Sequence, residues 1–254
     1  VFFDIDGTLW DFNMNIPEST KEAFRELRKN GHYSFLCSGR SRSNIKSPKL
    51  LALGFDGIVA ACGTHIEFEG EKLFELLLTK AQIEHILTVL RKHQIPMVLE
   101  GPNYIYVDEK DFKDDPYVIY LRNELGENLK SITGTAQYEV NKLSAELGNA
   151  DVELVRKELG TEFDMIVHEP DGILEIGQAG HSSGIERLCA SLGIAKEDTY
   201  AFGDSANDVE MLEFVAHGIA MGNGTDVAKN AAEFVTTDIH KDGIWNGLKH
   251  YGLI

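Results

Sequence analysis

The chain has 254 residues, 41 acidic against 24 basic, and a formal net charge of −17, with 43% hydrophobic and 26% charged positions. That apolar fraction excludes a disordered chain, and apolar runs such as Ile58 to Cys62 fall far short of the roughly 20 residues a membrane span needs. The charge repels polyanions, so neither nucleic acid nor an anionic membrane is expected as a partner.

Val1-Phe2-Phe3 reads as a short buried strand ending at Asp4. Glu18 to Asn30 reads as a helix with Ala23, Phe24 and Leu27 on one face and Gly31 as its cap. His32 to Cys37 is the next strand, closed by a turn at Ser38-Gly39-Arg40. Ser41 to Leu53 reads as a helix interrupted at Pro48, and Gly57 to Cys62 as a third strand. Strands alternating with helices predict βαβ units and a parallel sheet.

The pattern changes after about residue 78. Ala81 to His93 is predicted helical, Met97 to Glu100 and Tyr104 to Val107 are strands around Gly101-Pro102-Asn103, and Asp111 to Leu125 and Asp151 to Leu159 are helices. Phe163 to His168 and Ile173 to Ile176 form a hairpin turned at Pro170-Asp171-Gly172. Paired hairpins predict a separate α+β lobe. From about residue 182 the alternation returns: helices at Ser182 to Leu192, Val209 to Val215, Thr225 to Ala232 and Ile244 to Tyr251, strands at Thr199 to Phe202, His217 to Met221 and Phe234-Val235. The expected organisation is one α/β domain carrying an insertion of about 100 residues.

Cys37, Cys62 and Cys189 are odd in number, widely spaced and without a CxxC, which reads as small buried residues in a reducing compartment. No secretory signal opens the chain, which starts at Val1 inside an apolar stretch, so an initiator Met and a few residues are expected before it. A cytoplasmic location is the default expectation.

The strongest local signal is Asp4-Ile5-Asp6-Gly7-Thr8-Leu9. Residues i and i+2 share a face of extended chain, so both carboxylates can address one point in space, at the strand ends where open parallel sheets place ligands. Gly7 and Thr8 supply a turn whose backbone N–H groups can face an anion. A second acidic signal, Gly203-Asp204-Ser205-Ala206-Asn207-Asp208, follows another apolar run. Four carboxylates at one mouth repel one another unless a cation intervenes, and an all-oxygen donor set favours Mg²⁺ before Ca²⁺. At Ser38-Gly39-Arg40 a hydroxyl and a backbone N–H can donate to a phosphoryl oxygen.

In this order and at these separations the motifs resemble the haloacid dehalogenase (HAD) superfamily of phosphohydrolases, specifically the Cof-type subgroup with a C2 (α/β) cap. Asp4 to Leu9 matches the DxDGT motif, Phe35 to Arg40 the second motif with Ser38 in place of the more usual Thr, and Phe202 to Asp208 the fourth. Ala220-Met221-Gly222-Asn223 and Asp242-Gly243 resemble the subgroup's C-terminal part, and Asn223 is expected at the cap or the substrate mouth. The resemblance covers essentially the whole chain. It implies an α/β fold with a Rossmann-like parallel-sheet core, residues 1–78 and 178–254, and an inserted α+β cap, residues 79–177.

The resemblance also implies a reaction. Asp4 would attack phosphorus to give an aspartyl-phosphate, and Asp6 would protonate the leaving alcohol and then deprotonate water. Mg²⁺ would be held by Asp4, the Asp6 carbonyl and Asp204, with Asp208 orienting that shell. Ser38, Gly39, Asn207 and backbone N–H groups near Ile5 would hold the phosphoryl oxygens. The expected partner is a small phosphorylated metabolite, such as a sugar phosphate or similar monoester, and the sequence leaves the oligomeric state open. Cap residues Tyr104, Tyr106, Lys142, His168 and Glu169 are weak candidates for reading the substrate.

One position departs from the pattern. The family's third motif places a Lys in a G-x-x-K-G pattern, but Gly180-His181-Ser182-Ser183-Gly184 puts Ser183 there. The loss of a charge next to the nucleophile is expected to cost roughly 10²–10³ in rate unless another cation substitutes. Arg187, one turn further on, and Arg40 are the candidates, while His181 reads as a turn residue. Two alternatives to a phosphatase remain: a HAD-like ligand-binding or regulatory protein with impaired catalysis, which Ser183 favours and the four aspartates disfavour, and a phosphomutase, which nothing in the sequence favours.

Overall fold

A computed structural model describes residues 1–107, 116–132, 137–168, 172–178 and 181–254. The chain divides into two compact units. The first comprises Val1–Gly39, Lys46–Phe74 and Gly180–Ile254, and the second Arg40–Ile45 and Glu75–Ala179.

The first unit is built on an eight-stranded sheet. Its strands are β1 (Phe2–Phe3), β2 (Phe35–Cys37), β3 (Gly57–Ala60), β4 (His65–Phe68), β5 (Glu71–Glu75), and, after the second unit's β6 to β11, β12 (Tyr200–Gly203), β13 (His217–Ala220) and β14 (Phe234–Val235). The order is β14-β13-β12-β1-β2-β3-β4-β5, parallel from β14 to β3 with β4 antiparallel to β3. The inner strands read as continuous apolar runs because both faces are covered. Phe2 points into a cluster with Ile185, Leu188, Met211, Leu212 and Ala228, from helices α6 (His181–Leu192), α7 (Val209–Phe214) and α8 (Asp226–Ala231). Phe3 faces the other way, its ring centroid 4.7 Å from Phe24 on α1 (Glu18–Lys29) and 5.2 Å from Phe202. α9 (Gly243–His250) covers that same face and packs beside α1. The result is a three-layer α/β/α sandwich.

The second unit has a six-stranded sheet in the order β10-β11-β9-β6-β7-β8. The strands are β6 (Met97–Glu100), β7 (Ile105–Val107), β8 (Leu129–Ser131), β9 (Lys142–Glu146), β10 (Asp164–His168) and β11 (Ile173–Gly177), antiparallel except for the β7–β8 pair. α3 (Lys80–Lys92) and α5 (Val152–Leu159) bury Ile83, Ile86, Leu90, Val155 and Leu159 against Leu99, Leu143 and Leu174. On the opposite face, α4 (Pro116–Leu125) covers Val98, Ile105 and Val107 through Val118 and Leu121. Thr79 and Gln82 start α3 with a reciprocal capping box, and Asp151 caps α5 by accepting from the Glu153 and Leu154 amides.

The structure departs from the sequence reading in several places. The single helix expected over Ser41 to Leu53 is a 3₁₀ turn at Arg42–Asn44 followed by α2 (Pro48–Leu51). Proline disfavours helical geometry in the residue before it, and Ser47 is extended (ψ 119°). The sequence pattern does not reveal the β4–β5 hairpin, which turns at Glu69 and Gly70, both with positive φ (50° and 82°), the geometry of a tight hairpin turn. Nor does it reveal β8 and β9, whose charged and polar residues break the apolar signal of a strand. The helix expected from Asp111 begins, among the described residues, at Pro116. Glu169 and Pro170-Asp171 lie outside the described residues. No helix among the described residues is long and apolar enough to cross a membrane.

Candidate active site

The candidate site begins with register. Phe2 pairs with Ala201 and Phe3 with Phe202, so parallel β1 and β12 end side by side, and the Asp4 amide still donates to the Phe202 carbonyl at 3.0 Å. Asp4 and Asp204 are the next polar residues on the two strands. Asp208 returns to the same place through a 3₁₀ turn, Ala206–Asp208. One carboxylate oxygen from each of Asp4, Asp204 and Asp208 can be chosen so that all three lie within 4.8 Å of one another.

Glycines make that convergence possible. Gly7 has φ +81°, and a Cβ there would fall inside the Asp204 carboxylate. A Cβ on Gly203 would lie 2.5 Å from the Asp208 Cβ. Hydrogen bonds then hold the acids. Asp208 Oδ2 accepts from the amides of Asp204 (2.8 Å) and Ser205 (3.1 Å), and the Thr8 hydroxyl donates to Asp204 Oδ1 at 3.3 Å.

The electrostatics follow from this crowding. Asp4 is 4% exposed, and burial, then the carboxylates of Asp208, Asp204 and Asp6, push its carboxyl well above the usual range against a lowering hydrogen bond from the Ile5 amide. Burial and Asp208 likewise push Asp204 up to about 7, opposed by the Thr8 hydroxyl. Three hard oxygen donors that cannot all ionise together form a donor set suited to a divalent cation, and they fit Mg²⁺ by type and charge.

Asp6 is placed differently from the cluster. Its side chain is exposed, and Oδ1 accepts from the Trp10 indole at 2.8 Å. The loop that presents it is closed by Leu9 and Trp10 amides donating to the Ile5 carbonyl (3.0 and 3.2 Å) and by the Gly7 amide donating to the Trp10 carbonyl (2.9 Å). Ser38, at the end of β2, is buried, with its amide on the Val59 carbonyl (3.0 Å) and its carbonyl accepting from Cys62 (3.4 Å). Asn207 Oδ1 accepts from the Ser205 hydroxyl at 2.5 Å. Ser183 sits in the first turn of α6, partly exposed. The Arg187 guanidinium carbon lies 4.0 Å from the centroid of the Phe74 ring. Arg40 groups with the second unit and lines a cavity there. The side chains of His168 and His181 lie outside the described residues.

Two supports hold the loops of the site. Asn223 Nδ2 donates to the Gly7 carbonyl (2.8 Å) and its Oδ1 accepts from the Ile239 amide (2.8 Å), tying the Asp6–Gly7 loop to the C-terminal segment. The Thr225 amide donates to the Asp204 carbonyl at 2.7 Å, and a Cβ on Gly224 would crowd that same carbonyl. The asparagine in Met-Gly-Asn was the available signal, but its partner lies 216 residues away.

The class defined by this arrangement is a Rossmann-like parallel-sheet core with a cluster of aspartates at adjacent strand ends. Residues 1–248 match the family model described as haloacid dehalogenase-like hydrolase, and the chain belongs to that family. It is 34% identical to YkrA of Bacillus subtilis strain 168, provisionally named a phosphatase, over 100% of this chain and 98% of that one. It is 27% identical, over 99% and 96% of the two chains, to the same organism's YitU, a 5-amino-6-(5-phospho-D-ribitylamino)uracil phosphatase. Among solved structures, the HAD subclass IIB sugar phosphatase BT4131 superposes with a TM-score of 0.84 at 26% identity, covering 100% of this chain and 98% of the other.

Proposed function

We propose that the chain is a Mg²⁺-dependent phosphatase that hydrolyses small phosphorylated metabolites through a covalent Asp4 intermediate. The observation that carries this reading is the buried Asp4 carboxylate within the Asp4–Asp204–Asp208 cluster. The names of YkrA, YitU and BT4131 support it. Mg²⁺ held by Asp4, Asp204 and Asp208 would supply the positive charge that lets a carboxylate approach a phosphate dianion.

In the first step an Asp4 oxygen forms a bond to phosphorus as the ester P–O bond breaks. Asp6, held by the Trp10 indole, gives its proton to the departing oxygen and later takes one from the water that cleaves the acyl phosphate. Ser38 and the amides of its turn donate to the phosphoryl oxygens, where transition-state charge is spread. Asn223 acts at a distance, by fixing the Gly7 carbonyl and hence the Asp6 loop.

The test is turnover of p-nitrophenyl phosphate and a panel of metabolite monoesters. Wild type should turn over with Mg²⁺ and stop with EDTA, and Asp4→Asn should lose at least about 10³-fold in kcat. Metal-independent turnover, or an active Asp4→Asn, overturns the reading.

One observation favours a second reading, a slow enzyme or a ligand-binding protein. Ser183 holds the position where the family pattern has Lys, and Arg187 packs its guanidinium over Phe74. If the missing charge is a deficit, Ser183→Lys should raise kcat/KM by roughly 10- to 100-fold. An unchanged rate would mean that the site manages without it.

A further inference from the structure

The turn between β3 and β4 has no part in the steps above. It runs from Ala61 to Thr64 and is buried throughout, with Ala61 0%, Cys62 7% and Thr64 1% exposed. Hairpin turns ordinarily lie on the surface, as Glu69-Gly70 does between β4 and β5. Ala61, Cys62 and Gly63 also have successive positive φ values of 50°, 54° and 85°. Two of the three carry a Cβ, which makes the left-handed region costly. A segment both strained and buried persists only where its surroundings hold it.

The hydrogen bonds show what the strain achieves. The Gly63 amide donates to the Ala60 carbonyl at 3.1 Å. The Thr64 amide (3.2 Å) and the Thr64 hydroxyl (2.6 Å) both donate to the Ala61 carbonyl. That carbonyl belongs to the peptide unit joining Ala61 to Cys62. The N–H at the opposite edge of the same unit donates to the Ser38 carbonyl at 3.4 Å. A peptide unit is planar and trans, so pinning its C=O aims its N–H. The bond to Ser38 is long and therefore depends on that aim. Register already places Ser38 beside the turn: Cys37 pairs with Val59, and the Ser38 amide donates to the Val59 carbonyl at 3.0 Å. α6 closes off the space next to the turn, where even a Cβ on Gly184 would collide with the Gly63 Cα.

We propose that Thr64 is a positioning residue for phosphate binding. Its hydroxyl locks the Ala61–Cys62 peptide unit, and the locked unit holds the Ser38 backbone in place. The proposal rests on the phosphatase reading, in which Ser38 and the amides of its turn donate to the phosphoryl oxygens. Thr64 acts through Ser38 and not on the substrate itself.

Thr199 provides a matched control. Its buried hydroxyl also donates to a carbonyl three residues back, that of Lys196, but it lies just before the start of β12, at the end away from Asp204. The test measures KM and kcat for p-nitrophenyl phosphate with Mg²⁺, and Ki for inorganic phosphate, in wild type, Thr64→Val, Thr64→Ser and Thr199→Val. Thermal melting confirms that each variant is folded. Thr64→Val should raise Ki and KM by about fivefold, the size of one hydrogen bond, with a smaller change in kcat. Thr64→Ser keeps the hydroxyl and should stay within about twofold of wild type. Thr199→Val should lose melting temperature and leave Ki unmoved, because a purely structural loss does not reach the phosphate. Thr64→Ala carries the same expectation as Thr64→Val should the latter fail to fold. Turnover in wild type with Ki unmoved in the folded Thr64 variant, an equal rise in Thr199→Val, or Thr64→Ser as impaired as Thr64→Val overturns the positioning role alone. A wild type that neither turns over the ester nor binds phosphate overturns the phosphatase reading and the positioning role with it.

Discussion

The closeness of the three aspartates depends on what Gly7 lacks. Any side chain there meets the Asp204 carboxylate and must also tolerate φ +81°. Gly7→Ala should therefore destabilise the fold by at least about 1 kcal/mol and weaken Mg²⁺ binding, measured by urea unfolding and by metal titration of the same samples. The acids also give the metal a pH signature. In the metal-free protein, Asp4 and Asp204 hold protons more tightly when folded than when unfolded, because burial and neighbouring carboxylates oppose ionisation. Their stabilising contribution is complete below about pH 4, the unfolded carboxylate value, and for Asp204 is lost as pH rises through about 7. On the proposed function, Mg²⁺ would compete with those protons. The melting-temperature gain from Mg²⁺ over EDTA should thus be small near pH 5 and grow to about pH 8, and a gain independent of pH would contradict this electrostatic picture.

At the scale of elements, the first turn of α6 is in tight contact with the sheet. A Cβ on Gly184 would lie 2.6 Å from the Gly63 Cα and 2.8 Å from Val59 Cγ1, so the helix rests directly on the β3–β4 turn. Gly184→Ala should cost about 1–3 kcal/mol by overpacking and displace Ser183, which is checked by denaturation together with the kcat of the folded variant. The elements differ in how far the sequence revealed them. Apolar runs bounded by turn residues marked β1, β12 and β13, because a strand covered on both faces is apolar throughout. β4 and β5 were hidden: His65–Phe68 and Glu71–Glu75 are rich in charge, and only the Glu69-Gly70 turn marks them as a hairpin. β9 was hidden because Lys142 and Ser144 replace the apolar residues that signal a buried strand.

For the whole molecule, legibility falls with sequence distance. Asp4, Asp6, Asp204 and Asp208 stand out because their motifs are compact and end apolar runs. Thr8 on Asp204 and Asn223 on Gly7 do not, because each contact joins residues about 200 positions apart and has no local periodicity. The fold class was readable from alternating elements, whereas the ion pairs of Lys142 with Glu100 and Glu175 needed the cross-strand register.

That distance has a consequence for synthesis on the ribosome. β1 lies between β2 and β12, yet its partner on one side is encoded about 200 residues later. At the usual pace of translation, roughly ten to forty seconds pass between the two strands. Throughout that interval the nascent chain carries Asp4 without Asp204 and Asp208, so the three-aspartate cluster cannot yet form. The intervening second unit, with its own apolar core, is complete before β12 emerges and can fold first. The acidic cluster is therefore a checkpoint of completion, formed only once both ends of the split domain have been made.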